Sequence, residues 1–181
     1  MGRGPTRQAG CRSVARLSPA GQSVKGIAMP RPSLPVARLL ERKNTGVAAA
    51  APDDTVLDAL RLMAERDIGA VVVLDRGRLI GMLSERDCAR ELLLAGRSAR
   101  DARVAELMTP DVVTIGPDET VEGCATLLMA RHHVRHLPVI EAGRVVGVLS
   151  ARDVLAARLS EERREVRDLE TERLMVQTGS Y

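Results

Sequence analysis

The sequence predicts an α/β fold: two β-α-β-β-α repeats packed as a pseudo-two-fold pair, with a helix at the C-terminal end. Pro-Asp-Asp-Thr-Val, starting at Pro52, aligns with Pro-Asp-Glu-Thr-Val, starting at Pro117, at an offset of 65 residues. Gly-Met-Leu-Ser-Glu-Arg-Asp, from Gly81, aligns with Gly-Val-Leu-Ser-Ala-Arg-Asp, from Gly147, at an offset of 66. A one-residue slip therefore lies between the first helix and the second strand of the repeat. Each copy alone buries too little surface to stand by itself, so two copies of this size are expected to close into one body with two related clefts.

In the first copy, residues 47–51 supply an opening strand, although Ala48, Ala49, Ala50 and Ala51 are poor strand formers. Thr55 N-caps a helix whose apolar positions Val56, Ala59, Leu60 and Met63 recur at helical spacing as far as Arg66. Residues 70–74 form a short apolar strand, Asp75-Arg76-Gly77 a hairpin turn and residues 78–83 its return. Ser84 opens a second helix that runs through Leu94 and stops before Gly96. The second copy repeats this order. Its opening strand, Val112, Val113, Thr114 and Ile115, has better strand chemistry than the alanines; Thr120 caps a helix over residues 121–132; residues 136–140 and 144–149 make the hairpin; Ser150 starts the closing helix. A short apolar helical turn precedes each copy, at residues 36–40 and 104–108. The expected divisions are a disordered basic segment (1–35), repeat 1 (36–98), repeat 2 (99–158) and a C-terminal helix and tail (159–181).

Composition removes several classes of function. The chain has 181 residues, 45% of them hydrophobic, no Phe or Trp and one Tyr, at position 181. Its core is aliphatic, and it lacks the aromatic faces of a base-stacking nucleic-acid platform. Cys11, Cys88 and Cys124 form no CxxC pair and no zinc spacing, which fits inert thiols in a reducing interior. No run of 18 apolar residues exists, so no membrane span is expected. No P-loop, GxGxxG turn or nucleophile motif occurs, and no enzyme activity is expected. The net charge is +3, but residues 1–40 hold seven Arg and Lys and no acid. Residues 1–35 read as disordered, as an organelle transit peptide, as an electrostatic arm, or as an extension upstream of a start at Met29. A cytoplasmic protein is expected, or an organellar one if the segment is a leader.

From Val36 to Arg158 the chain resembles a stand-alone pair of cystathionine-β-synthase (CBS) domains, the adenine-nucleotide-sensing Bateman module. The likeness is carried by Met108-Thr109-Pro110, by Arg135-His136-Leu137-Pro138-Val139, and by the two Gly-x-Leu-Ser-x-Arg-Asp segments. Ser84 with Asp87, and Ser150 with Asp153, have the spacing of a helix capping box, which explains them without a ligand. Arg86 and Arg152 add a cation beside each helix N-terminus, where phosphate is stabilised, while a carboxylate accepts ribose hydroxyls.

Carried over by position, the resemblance implies two ligand clefts. One joins Ser84, Arg86 and Asp87 to Thr114, Ile115, Val134, Arg135, His136 and Pro138. The other joins Ser150, Arg152 and Asp153 to Ala48, Ala49, Ile68, Gly69 and Ala70, and is bare on the repeat 1 side, so the first is expected to bind phosphate better. No cofactor and no metal is expected; His132, His133 and His136 lack an acidic ligand at helical spacing. The implied ligand is an adenosine nucleotide, AMP or ATP, with NADH or S-adenosylmethionine as alternatives. The implied partners are a second copy in a homodimer, through residues 121–130, and an unidentified regulated protein; neither membrane nor nucleic acid is expected. Beyond the repeats, Leu155, Leu159, Val166, Leu169 and Val176 fall on a three-four spacing that skips Glu162 and Arg173, the mark of a helix with one narrow apolar seam that either packs back on its own domain or pairs with a second copy. The expected function is a ligand-responsive, non-catalytic regulator; the alternative is a ligand-free dimeric scaffold whose basic N-terminus contacts nucleic acid.

Overall fold

The computed structural model describes residues 33–43, 46–131 and 134–178, with side chains described through 175. The readings of residues 1–32, His132, His133 and the last three residues lie outside that range. Eleven elements follow in order: α1 (Val36–Lys43), β1 (Ala49–Ala50), α2 (Val56–Glu65), β2 (Ala70–Asp75), β3 (Arg78–Ser84), α3 (Glu85–Ala95), α4 (Val104–Leu107), α5 (Val121–Ala130), β4 (His136–Glu141), β5 (Arg144–Ser150) and α6 (Ala151–Thr178). The slip falls where α2 joins β2 through residues 66–69 but α5 joins β4 through the longer 131–135.

Local chemistry accounts for most boundaries. Thr55, Ser84 and Thr120 each sit in extended backbone and accept the N–H three residues on. Gly96 ends α3 in the left-handed conformation, which glycine adopts without a Cβ penalty. Both hairpins turn through two positive-φ residues, Arg76-Gly77 and Ala142-Gly143, the twist that two-residue hairpin loops require. Both also carry an irregularity at the same place, Val73/Leu74 and Val139/Ile140.

The two opening strands correct the sequence reading. Ala49 and Ala50 form a parallel strand on β2, whereas the β-branched run Val112 to Ile115 supplies only an isolated bridge, Ile115 to Val139. Hydrogen bonding gives the reason. Val72 N–H donates to the Ala48 carbonyl at 3.1 Å. Its counterpart 66 residues on is Pro138, which has no N–H, so the ladder stops after the bonds that flank Ile115. Two further boundaries move. The helix expected to reach His132 ends at Ala130, and the closing helix and C-terminal helix are one continuous α6 of 28 residues.

The short helices exchange places. Val36 and Ala37 donate to the carbonyls of Glu119 and Pro117, and Val121 donates to Leu34, so α1 is seated on repeat 2. Val104 and Ala105 donate to Asp54 and Pro52, and Val56 to Ala102, so α4 is seated on repeat 1 by the same set of bonds. Of the segment expected to lack structure, Pro35 bridges Thr120 and the Ser33 hydroxyl accepts the Glu122 N–H.

Alternation along the hairpins divides the core into layers. Val71, Val73 and Leu83 face α2, α3 and α4 in the first repeat; Leu137, Val139 and Leu149 sit in the cluster with α1, α5 and α6 in the second. The opposite faces, Ala70, Val72 and Met82 with Val145 and Val148, meet between the repeats. Burial on both faces explains why β2 reads as an uninterrupted apolar run.

Candidate functional site

The glycine of each Gly-x-Leu-Ser-x-Arg-Asp segment lies where another part of the chain crosses the strand. A Cβ on Gly81 would stand 2.8 Å from Met108 Sδ and 3.0 Å from the Thr109 carbonyl oxygen; one on Gly147 would stand 2.5 Å from Leu40 Cδ2. These crossings close the strand edge differently. Met82 and Thr109 exchange two backbone hydrogen bonds, of 3.0 and 2.8 Å. In the second repeat, the carbonyl of Val148, the counterpart of Met82, accepts instead from the ammonium of Lys43 at 3.0 Å.

Lys43, the last residue of α1, also donates to Asp153 Oδ2 at 2.7 Å. Asp153 is the third residue of α6 and completes a reciprocal cap: its carboxylate accepts the Ser150 N–H and hydroxyl, each at 2.7 Å, and its own N–H donates to Ser150 Oγ. Burial opposes ionisation of Asp153, but the Lys43 ammonium and the two Ser150 donors outweigh it and hold the carboxyl below its ordinary range. In the first repeat the Ser84 hydroxyl donates to Asp87 and accepts the Asp87 N–H. The capping reading thus holds at both motifs. It also changes the phosphate argument, because the Ala151 N–H is taken by Arg135 and that of Asp153 by Ser150. Side-chain cations, rather than these helix-end donors, are what α6 offers an anion.

A cavity of about 510 Å³ opens at this place, within the size range of small-molecule sites. Of the residues expected in the second cleft, Ala48, Ile68, Gly69, Ala70, Ser150, Arg152 and Asp153 line it; Ala49 lies in β1 with its side chain exposed and does not. The cleft is not bare on the repeat 1 side. Arg66 and Asp67, from the loop after α2, and Lys43 and Gly46, from the crossing between α1 and β1, also line it. The sequence reading missed Lys43 because nothing in the repeat pattern says that α1 packs on the distant copy.

His136, assigned to the first cleft, lines this cavity as well, next to Ser150, its partner across β4 and β5. Burial first, then the Lys43 ammonium, lowers its pKa, while Asp153 and Asp87 pull the other way and Arg135 adds to the lowering. His136 therefore stands within electrostatic reach of both capping carboxylates. Ala70, its counterpart in the first repeat, lines the same cavity, so the two pseudo-symmetric positions meet there as unlike residues.

The remaining residues of the first cleft are placed as follows. Ile115 is buried, donating to the Pro138 carbonyl and accepting from Ile140; Thr114 is half-buried beside it. Val134 donates to Arg131, Arg135 is exposed and Arg86 is exposed on α3. Burial raises the Cys88 and Cys124 thiols to about 11 and about 12, beyond the range of a reactive thiolate. Among the described residues no group of three or more His, Cys, Asp or Glu could hold a metal ion, and no helix is long and apolar enough to cross a membrane.

Comparison with known proteins identifies the family and the fold. The family model for the CBS domain matches twice, at residues 36–94 and 104–160. The mitochondrial CBS domain-containing protein CBSX3 of Arabidopsis thaliana is 36% identical over 122 residues, which are 65% of this chain and 59% of CBSX3. The CBS domain-containing protein YhcV of Bacillus subtilis is 34% identical over 66% of this chain and 84% of its own length. Among solved structures, a putative signal-transduction protein with CBS domains from Burkholderia ambifaria superposes with a TM-score of 0.66 at 34% identity, covering 70% of this chain and 95% of that one.

Proposed function

The chain belongs to the CBS domain family, and from that premise we propose that it is a non-catalytic regulatory module that binds an adenosine nucleotide of the AMP, ADP or ATP class. The observation that supports this is that Lys43, Arg66, Arg152 and His136 line one cavity between the repeats together with the carboxylates of Asp67 and the capping residue Asp153. Three cations and an imidazole favour a phosphate; a carboxylate set among apolar walls suits ribose hydroxyls. Ala48, Ile68 and Val148 offer an adenine ring aliphatic surface and backbone groups.

Signalling follows from where Lys43 stands. A ribose that takes Asp153 draws Lys43 away from the carboxylate and toward the phosphate, and Lys43 ends the helix on repeat 2 from which the chain leads to β1 of repeat 1. A shift there changes the relation between the repeats, which a regulated protein reads. The first cleft, of Ser84, Arg86 and Asp87 with Thr114, Ile115, Val134, Arg135 and Pro138, is the related further site of this proposal.

Thermal unfolding of the purified protein against adenosine, AMP, ADP, ATP, NADH and S-adenosylmethionine, with GMP as control, tests the reading. Ligand at a hundred times its dissociation constant adds about 2.7 kcal/mol of apparent stability. A shift confined to adenine compounds and larger for phosphorylated ones is expected. No shift with any of them overturns the proposal and leaves the Ser-Asp pairs as helix caps.

A further inference from the structure

Helix α6 presents two faces with different occupants. Val154 and Ala157 are buried in the second repeat's core, and Glu161 accepts the Leu34 N–H at 2.6 Å, so this face is covered by its own chain. The adjacent seam is exposed: Leu159 by 48%, Val166 by 54% and Leu169 by 65%. From Glu162 to Met175 every residue except the half-buried Asp168 is exposed, and the CBS match ends at residue 160. The repeats therefore do not account for this stretch of helix.

Written as a heptad, the seam places Leu159, Val166 and Arg173 at a, and Glu162, Leu169 and Val176 at d. The two charged positions settle its orientation. In a parallel pair, a meets a and d meets d, which sets Glu162 against Glu162 and Arg173 against Arg173 in the seam. In an antiparallel pair, a meets d. One register, centred between residues 167 and 168, then puts Glu162 opposite Arg173 of the second copy, Val166 opposite Leu169, and Leu159 opposite Val176. All six seam positions are matched, and each charge meets its opposite. On the flanks Arg163 faces Glu170 while Glu165 faces Glu172; exposed pairs of opposite sense largely cancel, leaving the seam to decide.

We infer that residues 159–176 of α6 pair with the same segment of a second copy as an antiparallel two-stranded coiled coil, its register fixed by Glu162 and Arg173. A rise of about 1.5 Å per residue sets residue 159 of one copy roughly 25 Å along the pair from residue 159 of the other, with the two bodies toward opposite ends. Polar residues in a seam are a known means of fixing register at some cost in stability, and here they reject the parallel alternative by like-charge contact.

Charge reversal in the full-length chain, read as assembly mass by sedimentation over a dilution series, provides the test. Glu162→Arg creates two Arg-Arg contacts across the antiparallel pair and Arg173→Glu two Glu-Glu contacts. Each variant is expected to weaken association roughly tenfold or more and to halve the mass at intermediate dilution. Combining both changes restores opposite charges and the wild-type mass. The altered side chains are exposed, and circular dichroism with thermal melting checks that each variant is folded. Unchanged mass in the single variants overturns the inference, as does a double variant that stays weakened; a seam covered by its own chain, by a different protein or by a parallel partner gives one of those results.

Discussion

Lys43 Nζ lies 2.7 Å from Asp153 Oδ2, joining the end of α1 to the N-terminal cap of α6 across 110 residues of sequence. Both side chains are about three-quarters buried, so the pair is shielded from solvent more than a surface ion pair would be. In the proposed function, Lys43 competes with a ribose for this carboxylate and offers its ammonium to a phosphate.

The two roles separate by substitution. Asp153→Asn keeps the size of the cap but removes the charge, and is expected to weaken AMP binding roughly tenfold or more by calorimetry. Lys43→Met removes the phosphate partner and the competitor together. It is expected to weaken AMP binding by a similar factor while leaving adenosine binding unchanged or tighter. Equal losses for AMP and adenosine would show that Lys43 acts through the fold instead.

The repeat, the caps, the hairpins and the family were legible in the sequence because each rests on local chemistry: Thr55, Ser84 and Thr120 as caps, glycines at two-residue turns, a fixed offset between copies. What was not legible depends on contacts between distant segments. The ranking of the two opening strands was reversed by Pro138, whose missing N–H matters only once it is paired beside Val113 and Ile115. The second cleft gained Lys43 because α1 crosses to the other copy, a choice that leaves no periodic trace. His136 was found by motif but assigned to one cleft, although its ring feels the carboxylates of both.

Proton linkage at His136 has a definite sign. Its folded-state pKa is lowered by burial and by Lys43, with Arg135 adding to this and Asp153 and Asp87 opposing it, so the ring is neutral near pH 7 in the free protein. A phosphate dianion arriving nearby raises that pKa, and binding takes up a proton. AMP affinity is therefore expected to rise as pH falls from about 8 to about 6, while adenosine affinity stays flat. His136→Asn is expected to abolish the dependence. AMP affinity measured by calorimetry and found flat across this interval would remove His136 from the site.

The two crossing glycines should not be equivalent. The atoms nearest a Cβ at Gly147 are the two methyls and the Cγ of Leu40, a side chain that can shift, whereas one at Gly81 meets Met108 Sδ and the Thr109 carbonyl oxygen. That carbonyl is fixed by the Met82 N–H at 3.0 Å, and Thr109 N–H returns a bond to Met82, so the linker cannot retreat without losing both. Gly81→Ala is expected to cost about 1–3 kcal/mol and Gly147→Ala less, read as shifts in the urea midpoint at constant slope. Because the Leu40 side chain that yields at Gly147 helps seat α1, Gly147→Ala is also expected to disturb the end of α1 at Lys43 and alter AMP affinity, while Gly81→Ala leaves the Lys43 contact in place. Loss of AMP affinity in Gly81→Ala alone would instead assign the working site to the cleft of Ser84 and Asp87.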